Sequence, residues 1–166
     1  MSQPHRKLND QAETKSQESF GYTAAPQFCH KPGVLVVDDE HLVRIMVQLG
    51  LERNGFKVWL APNGQEAIEL YREYRENIAV VLVDVRMPGL DGPRTLRALR
   101  ELNPEVLVCF MSDEKSEYEP GALVEGGAAY VITKPFLLDD LANILRLLAH
   151  GVPVNLLPSG RINGTV

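Results

Sequence analysis

Cysteine is scarce in this chain. Cys29 and Cys109 are its 2 cysteines, and no metal-ligand spacing links them, which excludes a cysteine-built metal site. Cys109 falls inside an aliphatic run and reads as a small buried apolar residue. No run of Lys or Arg stands out, and a net charge of −5 with both signs interspersed argues against a dedicated nucleic-acid binder. No apolar run approaches the roughly 20 residues needed to cross a bilayer. The first residues lack the charged-then-apolar pattern of an export signal, so the expected location is cytoplasmic, with no membrane partner. No internal repeat is visible. An apolar fraction of 45% is that of an ordinary globular core and excludes wholesale disorder.

The 166 residues suit one domain with tails. Residues 1–32, rich in Gln, Ser, Lys, Glu and Pro, are expected to be a disordered leader. Residues 33–150 carry the folded domain, and residues 151–166, with Pro153, Pro158 and Gly160, a flexible tail. Within the domain, Val34-Leu35-Val36-Val37 is a buried strand that ends on Asp38, Asp39 and Glu40. Glu40 and His41 are placed at a helix start. Residues 41–54 follow at helical spacing, with Leu42, Ile45, Met46 and Leu49 on one face and Asn54-Gly55 as the stop. Residues 56–61 alternate like a short strand towards an edge. Asn63-Gly64 turns the chain into a helix over 65–76 through Ala67, Ile68, Leu70, Tyr71 and Tyr74. The run Val80-Val81-Leu82-Val83 is a central strand that ends on Asp84 and is followed by the loop-builders Pro88, Gly89 and Gly92. Asp91 caps a helix over about 93–102, closed by Pro104. Residues 106–111 form a further apolar strand ending on Ser112-Asp113. Residues 114–119 are charged and lack an apolar face. Pro120 opens a short helix to about 125, stopped by Gly126-Gly127. A last strand over 128–133 precedes Lys134-Pro135. Leu137, Leu138, Leu141, Ile144, Leu145 and Leu148 then line a closing helix, as core or as a partner surface.

Strands alternating with helices five times predict an α/β, doubly wound five-stranded parallel sheet with helices on both faces. The carboxyl ends of central strands in such sheets converge on the ligand site. Asp84 alone reads equally well as the turn-former that closes a strand. Joined by Asp38 and Asp39 from a second strand end, it becomes part of an acidic cluster that repels itself unless a cation joins it. Hard oxygen ligands suit Mg²⁺, which keeps several waters for a phosphate. Ser112 and Lys134, brought in by two more strand ends, are anion-stabilising groups. These are the parts that phosphoryl transfer to a carboxylate requires.

The strings Val34 to Glu40, Asp84-Val85-Arg86-Met87-Pro88-Gly89-Leu90-Asp91-Gly92, Met111-Ser112 and Lys134-Pro135-Phe136 resemble the receiver domain of two-component response regulators, over about residues 33–149. The resemblance implies a flavodoxin-like receiver fold and a phospho-acceptor at Asp84. It implies Mg²⁺ held by Asp38, Asp39 and Asp84, directly or through water, with the main-chain carbonyl of Arg86 as a further ligand. Ser112 and Lys134 would take the phosphoryl group, and the Lys134–Pro135 bond would be cis. The donor would be a sensor histidine kinase or a phosphotransfer protein, and output from this non-enzymatic, stand-alone receiver would pass to a downstream protein that the sequence leaves unnamed.

Two residues depart from the family pattern. Val131 stands where receivers carry an aromatic residue, and Tyr130 is one step away, on the other face of the strand. Asp113 follows Ser112 where a small residue is usual, adding negative charge near an incoming dianion. An interaction module of the same fold that has lost phosphorylation is therefore the competing reading. A phosphatase working through an aspartyl-phosphate is disfavoured, because Arg86 stands where such enzymes need a second acid. Few apolar residues between 113 and 127 predict a short fourth helix after a long, mobile loop, and a signal carried by that loop.

Overall fold

The aliphatic runs of the sequence become five parallel strands, and Asp38, Asp84, Ser112 and Lys134, at the ends of four of them, mark one common edge of the sheet. The computed structural model describes residues 31–114 and 116–152; the expected leader and tail lie outside these apart from their innermost residues. In chain order the elements are β1 (Gly33–Val37), α1 (His41–Arg53), β2 (Lys57–Ala61), α2 (Gly64–Tyr74), β3 (Ile78–Asp84), α3 (Gly92–Leu102), β4 (Val108–Asp113), α4 (Pro120–Glu125), β5 (Tyr130–Lys134) and α5 (Leu138–Ala149), with one 3₁₀ turn at Arg75–Asn77. The strand order is β2-β1-β3-β4-β5, and every neighbouring pair is parallel. β2 is an edge strand, as its alternating pattern suggested. This is the flavodoxin-like order. Its direction of winding reverses between β1 and β3, the place where such sheets bind ligands.

The central strands are buried on both faces, which is why their sequences show no polar alternation. On one face Val34, Val36, Leu82, Cys109 and Ile132 pack with Leu51 of α1 and Leu141 and Leu145 of α5. On the other, Leu35, Val37, Val83, Phe110 and Val131 pack with Tyr71, Leu96, Leu99 and Leu123 of α2, α3 and α4. Tyr130 belongs to the first cluster and Val131 to the second, so the single-step offset does put them on opposite faces. Cys109 is fully buried, and burial pushes its thiol pKa well up.

Local signals set the helix starts. The Asn63 side chain accepts from the Glu66 amide at 2.9 Å, and the Asp91 side chain accepts from the Arg94 amide at 2.9 Å. Each satisfies a donor that a helix start leaves open. α4 is short and begins at Pro120, as read from the sequence. Glu40 sits just before α1 and makes no side-chain cap.

Several expectations need correction. The α1 face carrying Leu42, Met46 and Leu49 points outward, those residues being 75%, 62% and 57% exposed. The helix instead buries Arg44, Val47, Gly50 and Leu51. Gly50 fits this rotation: a Cβ there would lie 2.7 Å from Leu138 Cδ1 and 3.1 Å from its Cβ, so the Leu138 side chain of α5 packs directly on the α1 backbone. α2 ends at Tyr74 rather than 76. β4 begins at Val108 rather than 106, and β5 at Tyr130 rather than 128. In α5, Leu141, Ile144, Leu145 and Leu148 are core, whereas Leu137 precedes the helix and is 57% exposed.

Two glycines shape the loop after β3. Gly89 adopts φ +78°, a conformation that L side chains avoid. Gly92 touches the strand end directly: a Cβ there would lie 2.8 Å from the Asp84 carbonyl oxygen and 2.9 Å from Phe110 Cε1. Gly92→Ala is therefore expected to destabilise the fold by about 1–3 kcal/mol, as overpacking does. Urea unfolding should show the loss as a lower midpoint at unchanged slope, and an unchanged midpoint would contradict the close contact.

Candidate functional site

β1, β3 and β5 end in Asp38, Asp84 and Lys134, and one ammonium group joins the three. Lys134 Nζ lies 2.7 Å from Asp84 Oδ1 and 3.2 Å from Asp38 Oδ2. The loop backbones hold the opposite oxygens. The Glu40 amide donates to Asp38 Oδ1 at 2.8 Å, and the Arg86 amide donates to Asp84 Oδ2 at 2.9 Å. Asp38 and Asp84 are buried, at 1% and 7% exposure, so this pairing is what makes their burial tolerable. Asp39 is exposed. The Lys134–Pro135 bond is cis. Ser112, also buried, directs its hydroxyl, among the described residues, to the Asp113 carbonyl at 3.4 Å. That is long for an O–H···O bond, and the hydroxyl is readily given up to a better acceptor. These groups open onto a cleft of about 540 Å³ lined by Asp39, Asp84, Arg86, Asp113, Tyr118 and Lys134. A larger groove of about 880 Å³ lies at the amino ends of the strands, between Lys31, Phe56 and His150, with Glu52 and Glu76 in its lining.

Burial raises the pKa of Asp84 above the ordinary carboxylate value, more than the Lys134 hydrogen bond and charge lower it; the Asp38 charge also raises it. For Lys134, burial acts to lower the pKa, but the hydrogen bond and charge of Asp84, with the charge of Asp38, outweigh it and raise the value. The pairing alone would lower Asp84, so the direction at Asp84 reports how dry that carboxylate is. The site favours Lys134 as a cation and leaves Asp84 with more carboxylate charge than its surroundings offset.

Three features escaped the sequence reading. Arg44, 9% exposed, donates from Nη1 to the carbonyls of Asp38 at 2.6 Å and Asp39 at 3.0 Å. It fixes the acidic loop from behind, and its one signal in the sequence is a charge among the apolar residues of α1. Arg86 Nη2 pairs with Asp113 Oδ2 at 2.8 Å. Tyr118 packs on the cluster that contains Val131, its hydroxyl 3.4 Å from Asp91 Oδ2.

The sequence profile of the response regulator receiver domain matches residues 34–146. The chain belongs to the response regulator receiver family. It is 37% identical over 117 residues to the transcriptional regulatory protein PrrA of Mycobacterium bovis, covering 70% of this chain and 49% of that one. It is 35% identical over 130 residues to the transcriptional regulatory protein CseB of Streptomyces avermitilis, covering 76% and 54%. The receiver thus spans about half the length of these curated relatives. A crystal structure of a receiver domain protein from Clostridium thermocellum superposes with a TM-score of 0.64 at 26% identity, covering 74% of this chain and 94% of that one. Two-component receivers are in general signalling rather than catalytic proteins. Among the described residues, no helix is long and apolar enough to cross a membrane.

The donor types fit the Mg²⁺ that receivers generally bind. Carboxylates and a main-chain carbonyl are hard oxygen ligands. The four carboxylate oxygens of Asp38 and Asp84 each accept one of the bonds above, and each has a second lone pair. Among the described residues, no three acidic, histidine or cysteine side chains are grouped closely enough to hold an ion as they stand; Asp39 would have to turn inward.

A raised folded-state value means that the folded protein binds the Asp84 proton more tightly than the unfolded chain does. Its contribution to stability is present below the unfolded value, about 3.9, and is lost as pH rises through the folded one. In metal-free protein, carboxyl carbon NMR should give an Asp84 midpoint above the ordinary aspartate range. Lys134→Met should move it further up, since burial and Asp38 are then opposed only by the Arg86 amide. A midpoint unmoved by the substitution would show that Lys134 does not pair with Asp84.

Proposed function

We propose that this receiver takes a phosphoryl group onto Asp84 from a phosphohistidine of a sensor histidine kinase or phosphotransfer protein, with Mg²⁺, and signals to a partner protein through the resulting change of surface. The observation that carries the reading is Lys134 Nζ held between Asp84 and Asp38 at the edge of the sheet. An Asp84 oxygen attacks phosphorus, the phosphorus–nitrogen bond of the donor breaks, and the imidazole leaves with its nitrogen electron pair. No protein acid has to act on an imidazole already protonated at its other nitrogen. What remains is positioning and charge neutralisation.

Each residue has a share in that work. Lys134 moves from the carboxylate towards a phosphoryl oxygen, and Ser112 turns its weakly held hydroxyl to another. Asp38, Asp39 and Asp84, with the main-chain carbonyl of Arg86, would hold Mg²⁺, which when bound neutralises negative charge between carboxylate and phosphate. Arg44 keeps the carbonyls of Asp38 and Asp39 tied back, so that the acidic loop presents side chains rather than backbone to the cleft. Because the chain spans about half of its curated relatives, the output step is assigned here only as a protein contact.

A small phosphodonor with Mg²⁺ should add one phosphoryl group, read by intact mass. Asp84→Asn should abolish the added mass, and undiminished labelling of that variant would reject the acceptor. Lys134→Ala should slow labelling about a hundredfold or more, the usual cost of losing a charge-stabilising donor, with the far-ultraviolet circular dichroism unchanged. Labelling at the wild-type rate would remove Lys134 from the mechanism. Tryptophan emission is a poor substitute for mass: Trp59 stacks on Tyr74 with ring centroids 5.7 Å apart and carries Lys57 4.6 Å above its ring, on edge strand β2 rather than in the cleft lining.

A further inference from the structure

The two loops that frame the cleft touch at two points. Arg86, two residues past the acceptor, pairs with Asp113 at the end of β4 at 2.8 Å. Tyr118, shortly before α4, reaches Asp91 at the foot of α3 at 3.4 Å. Between these contacts the Ser116 amide donates to the Asp113 carbonyl at 3.0 Å, and the Tyr118 amide to the Ser116 hydroxyl at 3.2 Å. The stretch therefore hangs from Asp113 by a short chain of bonds. Asp113 was the residue whose charge looked out of place beside a phosphoryl site; its partner is now visible.

We infer that Arg86 and Asp113 form a charge clasp in which Asp113 holds the place of the phosphoryl group. Phosphorylation of Asp84 draws the Arg86 guanidinium from the Asp113 carboxylate to the phosphoryl oxygens and releases the stretch that carries Tyr118. The inference rests on Asp84 being the acceptor.

The energetics suit such an exchange. Both partners are about half exposed, with side chains at 53% and 46%. An exposed pair of this kind shifts an equilibrium by about fivefold at most. A phosphoryl group carries close to two negative charges and three acceptor oxygens, and a guanidinium meets such a group through two parallel hydrogen bonds. Arg86 is also fixed relative to the acceptor, because its own amide donates to Asp84 Oδ2 at 2.9 Å. Once the guanidinium leaves, Asp113 is an unpaired carboxylate facing a new dianion across the same cleft, and repulsion favours its withdrawal. A residue of the acceptor loop thereby becomes a positioning residue for the phosphoryl group, and the residue following Ser112 becomes its reporter.

Charge reversal separates this device from a merely structural contact. In unphosphorylated protein, Arg86→Glu and Asp113→Arg should each speed amide exchange at Ser116 and Tyr118 about two- to fivefold. The double reversal should bring exchange back towards wild type. Exchange unchanged in both single variants, or unrestored in the double, would overturn the clasp. With a small phosphodonor and Mg²⁺, wild-type protein should show the same faster exchange on labelling, and Asp113→Asn should show little further change. Asp113→Asn should also speed labelling more when Arg86 is present than in Arg86→Met. Equal acceleration in both backgrounds would mean that Asp113 acts by plain repulsion and would overturn the transfer of the guanidinium. No labelling of wild-type protein would remove the acceptor reading and the transfer with it, while the charge-reversal result would still stand for the clasp.

Discussion

The site depends on one ammonium group reaching two carboxylates that come from other strands. Neighbouring strands lie about 4.8 Å apart, so β5 stands roughly 10 Å from β3 and 14 Å from β1. In register, Asp84 pairs with Met111 and Met111 with Ile132, which leaves Lys134 two residues beyond the level of the acceptor. Only a long, flexible side chain can come back from there across the end of β4 to both acids. This explains why the fold needs lysine here, and why the residue it passes over, Ser112, is small and polar.

That reach has an electrostatic consequence. Replacing buried ion pairs by apolar groups is often neutral or favourable for stability, so such pairs are poor grounds for a claim of stabilisation. Here burial keeps Asp84 above its ordinary pKa even with Lys134 at 2.7 Å, while Lys134 is itself held above its own. Arg44 adds positive charge behind the acidic loop yet spends it on the carbonyls of Asp38 and Asp39. Two buried acids thus share a single side-chain ammonium and two backbone amides. A strand edge that brings carboxylates this close has a residual demand for positive charge, of the kind that the Mg²⁺ receivers generally bind would answer.

Much of this was legible because backbone geometry dictates it. Strands buried on both faces appear as unbroken aliphatic runs, and the central strands of a parallel sheet covered by helices are of that kind. Asp91 announced a helix start by side-chain chemistry and Pro120 a late, short α4, while Asn63, legible as a turn, also caps α2. The α1 face was misread because that helix is apolar on more than one side. Its orientation is decided by Gly50 against Leu138 and by Arg44 against the acidic loop, both contacts between segments that periodicity within one helix does not register. The early start given to β4 has a related cause, since Val106 and Leu107 are apolar without entering the strand. The partners of Asp113 and Tyr118 were out of reach for the same reason: Arg86 and Asp91 are each 27 residues away.

The contrast between core and rim then says where a signal can go. The strands beneath the site are essentially inaccessible to water, with Val37, Val83 and Phe110 all at 0%, and close-packed interiors do not deform by small amounts. Ser112 and Lys134 can change partners there, but the strands that carry them cannot move far. Above them, the described residues between 113 and 119 are tied by an exposed ion pair, a 3.4 Å hydroxyl contact, one bond between backbone groups and one from the Tyr118 amide to the Ser116 hydroxyl. Local opening takes the least free energy where buried contacts are fewest. A charge added at Asp84, as proposed above, would meet a rigid floor and a weakly fastened rim, and the rim is where it would act. With Val131 rather than a large ring on the floor, and Tyr118 resting on the same cluster from the rim, the one aromatic side chain among the described residues lining the cleft sits on the part that can move.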